Sequence, residues 1–237
     1  MELVTLGVDV GQVRDPTAIC VAEETRHVVT KPTGGTRKES VYIVRHVERC
    51  PLGESYPAVV QRIVEVAAGI ESTVKPGARL WLVVDVTGVG RPVFDLITEA
   101  IGRSRFRVTP ATFTATDRIE GRYGSREIRV GKAYMVSRLQ ALLQTGRVKL
   151  PETREARALA RELLDYELRV TADANIQAGA FKIGRHDDLA TALMLSVLES
   201  GISHFVPIPG GTKRGEEENP ALWGAISSHS TASRWYL

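Results

Sequence analysis

Apolar and polar positions sort this chain into strands and helices before any chemistry is considered. LVTLGVDVG, residues 3–11, is a β-branched-rich apolar run closed by glycine, which predicts a buried strand. PTAICVAEE (16–24) and VYIVRHVER (41–49) predict two more, and the intervening 25–40, with KPTGGTRKES, reads as a polar loop or hairpin extension. Three successive strands with short links predict an antiparallel meander.

After the meander the period changes. Val59, Val60, Ile63, Val64 and Ala67 recur at helical spacing within 56–74, and Pro76-Gly77 stops the run. RLWLVVDVTGVG (79–90) predicts a strand ending in glycines, RPVFDLITEAIG (91–102) a helix, and RFRVTP (105–110) a short strand. Strand, helix and strand in that order imply a parallel, right-handed crossover. The whole order predicts an α/β chain with an RNase H-like fold. Its central mixed sheet has three antiparallel strands and then parallel strands, and helices flank it.

The next segment, TDRIEGRYGSREIRV (116–130), alternates about Tyr123-Gly124-Ser125 and predicts an arginine-rich β-hairpin. KAYMVSRLQALLQTG (132–146) and EARALARELLDYELRV (155–170) predict helices. GAFKIG (179–184) predicts a short strand leading into a helix that begins at His186. After Phe205 the composition turns to Pro, Gly and charge. The chain therefore divides into a domain over 1–205 and a linker and C-terminal tail over 206–237.

Charge placement adds more than the net value of +3. Eleven lysines and arginines against three acids lie between Arg103 and Lys149. Base clustered this way is the footprint of a phosphate-backbone partner, or else a solvated face with its counter-charges elsewhere in the fold. Two cysteines, Cys20 and Cys50, predict neither a disulfide framework nor a zinc site, and suit a reduced, cytoplasmic setting. No apolar run reaches the roughly 18 residues that span a bilayer, so no membrane partner is expected.

Three carboxylate stations stand out. Asp9 lies between Val8 and Val10 in the first strand, and Asp85 ends the fourth after Leu82, Val83 and Val84. A lone ionised carboxylate in a sheet interior costs several kcal/mol, so each needs a compensating charge or a set of donors. In the expected fold these strands are neighbours, and the mutual repulsion of Asp9 and Asp85 calls for a cation. Asp187 and Asp188, in GRHDDLATALML, either cap the helix that follows or complete the site from its first turn. An oxygen-only ligand set suits Mg²⁺ or Mn²⁺, and two such ions can clamp a scissile phosphodiester. His186 reads as a supporting residue or a packing one, and Asp15, in the turn sequence RDPT, as a turn former or a supporting acid.

GVDVGQVRDPTAI, LVVDVTGVGRPVFDLI, KAYMVSRLQALLQTGRVKLP and HDDLATALMLSVLE, in this order and spacing, resemble the nuclease domain of the large terminase subunit of tailed bacteriophages. The resemblance covers residues 3 to about 200. It implies a metal-dependent endonuclease that cuts concatemeric double-stranded DNA during genome packaging, in the cytoplasm of the infected bacterial host. By that resemblance Asp9, Asp85, Asp187 and Asp188 are the catalytic, metal-binding acids. Gly131-Lys132 and the hairpin before it match a segment near the DNA path, so Lys132 is a supporting or DNA-contacting residue. Phosphate contact is the expectation for Arg118, Arg122, Arg126 and Arg129, giving affinity rather than sequence choice. A portal protein, a small terminase subunit and an ATPase motor are the implied partners. The G-x-x-x-x-G-K-[ST] loop of such a motor does not occur in these 237 residues.

Rival readings share parts of this pattern. A Holliday-junction resolvase or transposase uses the same fold, and a non-catalytic DNA-binding module could retain it. An actin-like sugar kinase has similar phosphate loops at GVDVG and DVTGVG, but no counterpart of HDDLATALML, and it needs two such domains. Within a shared fold, the site must decide.

Overall fold

The computed structural model describes residues 3–11, 15–88, 90–121, 127–165, 167–170, 176–179 and 187–198. Its strands are β1 (Leu3–Asp9), β2 (Ala18–Thr30), β3 (Thr36–Arg49), β4 (Arg79–Asp85), β5 (Phe106–Thr114), β6 (Ile119–Gly121), β7 (Ile128–Gly131), β8 (Val148–Lys149), β9 (Glu167–Val170) and β10 (Ile176–Gly179). Its helices are α1 (Tyr56–Thr73), α2 (Gly90–Ile101), α3 (Lys132–Gln144), α4 (Arg154–Asp165) and α5 (Asp188–Ser196). Eight strands form one mixed sheet in the order β6-β7-β5-β4-β1-β2-β3-β8, and β9 pairs with β10 apart from it. The expected meander is β1, β2 and β3, with both links antiparallel. The expected parallel crossover is β4, α2 and β5, and β4 also runs parallel to β1. The fold is the RNase H-like α/β arrangement, with helices on both faces.

Side chains alternate across the pleat, so each central strand feeds two cores. Val4, Leu6 and Val8 of β1 join Leu80, Leu82 and Val84 of β4 under α1 and α2. Trp81 and Val83, together with Ala18, Cys20 and Ala22 of β2, face the other way, toward α3, α4 and α5. Every residue of α5 is buried, which explains why its sequence is apolar all round rather than striped.

Several boundaries differ from those the sequence predicts. The 25–40 segment is a hairpin extension, because β2 and β3 stay paired out to Thr30 and Thr36. The strand expected over 79–90 ends at Asp85, and the one expected over 105–110 runs on to Thr114. The helix expected over 155–170 stops at Asp165, and Glu167–Val170 pairs antiparallel with Ile176–Gly179. Leu168 and Val170 alternate there with Glu167 and Arg169, a period of two that suits a strand once a partner is present. β10 therefore ends where the strand of 179–184 was expected to begin, and residues 180–184 lie outside the described set. α5 starts at Asp188 rather than at His186. No helix among the described residues is long and apolar enough to cross a membrane.

Candidate active site at the carboxylate edge

β1 and β4 run parallel, with Val8 opposite Val84, and each strand ends one residue later in an aspartate. Asp9 and Asp85 therefore stand side by side at one edge of the sheet. Counting back by two, they share a face with Gly7 and Val83, the face that α5 covers. α5 lies close there because residue 7 has no side chain. A Cβ built on Gly7 would fall 2.3 Å from the Ala192 carbonyl oxygen and 2.7 Å from the Ser196 nitrogen. Ala192 and Ser196 lie one and two turns beyond Asp188, so the first turn of α5 comes to the edge where Asp9 ends β1.

Behind Asp85, a Cβ on Gly90 would fall 2.2 Å from the Asp85 carbonyl oxygen, so only glycine lets α2 begin this close to the strand end. The Asp85 side chain is further fixed by the Thr87 backbone N–H, which donates to its Oδ1 at 2.7 Å.

The electrostatics follow from this placement. Asp9 keeps partial access to solvent, yet enough protein surrounds it that loss of hydration pushes its pKa well above the ordinary carboxylate value. The charges of Asp85, Asp188 and Asp187, in that order, push it further, and Lys132 opposes them. Burial also raises the pKa of Asp85, against the Thr87 hydrogen bonds and the charge of Lys132. Lys132 is the first residue of α3, and its ammonium sits 5.7 Å from the centre of the Phe113 ring.

Among the described residues, no three of these acids close into a ready-made cage. Like charges at close quarters are held apart until a cation neutralises them, and the donor set, all hard carboxylate oxygens, suits Mg²⁺ or Mn²⁺. The residues fit the ions the sequence implies.

The two readings of the Asp187-Asp188 pair can now be separated. Asp187 occupies the N-cap position, but its side chain makes no capping hydrogen bond. That task falls to Glu162 of α4, whose Oε2 accepts the Ala190 N–H at 2.9 Å. Asp188 is buried and bound by Arg49, whose Nε donates to its Oδ2, while another guanidinium nitrogen contacts Glu162. Neither Arg49 nor Glu162 stands out in the sequence. Arg49 closes an alternating strand, and Glu162 sits in a helix rich in charge, so each reads locally as solvated.

The remaining candidates fall into three groups. Asp15 is exposed, six residues beyond the end of β1. Arg118 is largely exposed and pairs with Glu120 at 3.0 Å, and Arg129 is exposed on β7. β7 pairs with β5 from Ala111 outward, and Ala111 is itself opposite Asp85, so Arg129 lies past the carboxylate row at the same edge. His186, Arg122 and Arg126 lie outside the described residues. A cavity of about 640 Å³ beside Arg49 is lined by Arg45, Glu48, Arg62 and Leu189, and by none of the four acids.

The terminase RNaseH-like domain family matches residues 54–199 of the chain. No curated protein sequence matches it. The fold is shared with the large terminase nuclease from thermophilic phage G20c, at 20% identity and a TM-score of 0.54, covering 82% of this chain and 81% of that one. The same nuclease with bound magnesium is 21% identical, with a TM-score of 0.53 and coverage of 82% and 80%. The nuclease domain of the large terminase subunit gp2 of bacterial virus Sf6 is 13% identical, with a TM-score of 0.53 and coverage of 82% and 86%.

Proposed function

The chain belongs to the terminase RNaseH-like domain family, and from that premise we propose that it is a metal-dependent endodeoxyribonuclease that cuts concatemeric viral DNA during genome packaging. The observation that carries this reading is the pairing of Asp9 and Asp85 at the ends of adjacent parallel strands, with the acids of α5 acting on Asp9 from above. A structural acid pair would be joined by enough cationic partners to balance it. Here burial and then three other acids raise the pKa of Asp9, and one lysine opposes them.

In this reading Asp9, Asp85, Asp187 and Asp188 hold two Mg²⁺ or Mn²⁺ ions. When bound, such ions supply Lewis-acid chemistry for hydrolysing a phosphodiester. The protein contributes position: strand ends and a buried helix fix the carboxylates before substrate arrives. Lys132, beside Asp9 and Asp85, offers a positive charge to the phosphate being cut. Arg118 and Arg129, with Arg122 and Arg126 between them in the sequence, contact backbone phosphates, which gives affinity with little sequence preference. Asp15 and His186 are supporting residues. The nuclease unit occupies 1–205, with 206–237 as its tail. An ATPase motor, a portal protein and a small terminase subunit are its proposed partners in the host cytoplasm.

Digestion of supercoiled plasmid with Mn²⁺, Mg²⁺ or EDTA, beside the Asp85→Asn variant, tests the reading. Metal-dependent nicking and linearisation that the variant loses is the expected result. Bound DNA left intact under every metal condition would replace the nuclease with a DNA-binding module.

A further inference from the structure

We propose that Arg49, anchored by Glu162, is a positioning residue that holds the Asp188 carboxylate in its working orientation; this rests on the nuclease reading above. Register places Arg49 at the same sheet edge as the acids. Asp9 is opposite Ala18, and Ala18 is opposite Arg49, so Arg49 ends β3 two strands from Asp9. Two strand spacings are roughly 10 Å, within the combined reach of an arginine and an aspartate on a helix between them.

The contacts form a closed circuit through three elements. Arg49 of β3 binds Asp188 of α5 and Glu162 of α4. The other oxygen of Glu162 accepts the Ala190 N–H, which returns the circuit to α5. Both acids are buried, Asp188 at 4% and Glu162 at 7% exposure, so each ionised carboxylate needs a partner. A guanidinium is planar and carries donors on several edges, so one arginine can serve two carboxylates at once. Lysine brings the same charge on a single nitrogen and cannot fix both planes.

This arrangement answers a mechanical problem at the site. The charges of Asp85, Asp188 and Asp187 all act on Asp9, and the Asp188 carboxylate has to be held in place beside it. Arg49 ties that carboxylate to the end of β3, while Glu162 ties Arg49 and the first turn of α5 to α4. Neighbours that orient a ligand in this way commonly affect metal affinity or activity by about 10–100-fold.

The test uses the full chain, with Arg49→Ala, Arg49→Lys and Glu162→Gln. Glutamine keeps an oxygen for the Ala190 N–H and leaves Arg49 its Asp188 partner, so this variant disturbs the packing least while removing the charge that anchors Arg49. Mn²⁺ affinity is measured by calorimetry without DNA, beside kcat and KM for plasmid cleavage. Positioning predicts Mn²⁺ binding weakened about 10–100-fold and kcat lowered with KM for DNA unchanged, with Arg49→Lys less affected than Arg49→Ala. Folded variants with wild-type Mn²⁺ affinity would reduce the circuit to a scaffold, and tighter binding would make Arg49 a competitor of the cation. Either result overturns the proposal while leaving the nuclease reading intact. A wild-type protein that neither binds Mn²⁺ nor cuts DNA overturns both.

Discussion

Gly7 lies directly beneath the Ala192 carbonyl, at a distance that leaves no room for a methyl group. A Cβ at position 7 would meet backbone atoms of a fully buried helix, which cannot rotate aside as a flexible side chain could. The close approach sets the height of α5 above β1, and through it the place of Asp187 and Asp188 relative to Asp9.

Gly7→Ala is therefore expected to act twice. Overpacking against backbone costs about 1–3 kcal/mol, which urea denaturation will read as a lower midpoint with an unchanged slope. Cleavage by the remaining folded protein should fall as well, because the helix carrying two of the acids is displaced. Loss of stability with full activity would show that the site tolerates movement of α5.

Asp9→Asn and Asp85→Asn test the opposite relation, in which function is held at the expense of stability. Burial and neighbouring acids raise the pKa of Asp9, and burial raises that of Asp85, so ionising these groups opposes folding above the ordinary carboxylate range. Each asparagine variant should melt at or above the wild-type temperature in EDTA at neutral pH, and that advantage should disappear in acid, where the wild-type carboxyls are protonated. The rise in melting temperature expected of wild-type protein with Mn²⁺ should be absent from both variants. Cleavage by either variant at the wild-type rate would reject the two-ion site.

The legible and illegible parts of this site differ in how local their signals are. Asp9 and Asp85 each break an apolar strand, so the sequence alone marks them as needing compensation, and the order of strands makes them neighbours. Asp187 and Asp188 precede an apolar run long enough to be a buried helix. Arg49 and Glu162 carry no such mark, since each stands in a segment where a charged residue is ordinary. Only the register across β1, β2 and β3 and the packing of α4 on α5 bring them to the carboxylates. β9 is hidden for a related reason: ELRV continues a helical pattern until β10 supplies a pairing edge.

Arg118 and Arg129 are exposed at the carboxylate edge of the sheet, where a duplex reaching Asp9 and Asp85 would pass. Replacing both with alanine should weaken DNA binding and flatten its dependence on salt, by roughly 0.9 in the log–log slope for each phosphate that is no longer neutralised. The pair with Glu120 makes Arg118 the smaller contributor. Fluorescence anisotropy across a salt series measures the slope, and an unchanged slope would remove the hairpin from the DNA path.

Away from the site, Glu48 ties the end of β3 to α1. Arg62 of α1 donates to both its oxygens, at 2.8 and 2.9 Å, and His46 lies 3.3 Å away. Burial pushes the Glu48 pKa up, but the hydrogen bonds and charges of His46 and Arg62 outweigh it and bring the value from 4.5 down to about 2. A folded-state pKa below the unfolded one means that the carboxylate stabilises the fold at any pH above the unfolded value. The contribution is then lost as pH falls from 4.5 to about 2. Discounted for the partial exposure of both partners, it amounts to about 1–2 kcal/mol. Unfolding free energies of wild type and Glu48→Gln, from urea denaturation, should differ by that amount at neutral pH and converge as pH falls through this window. A gap that persists at pH 2 would trace the effect of the substitution to packing rather than to charge.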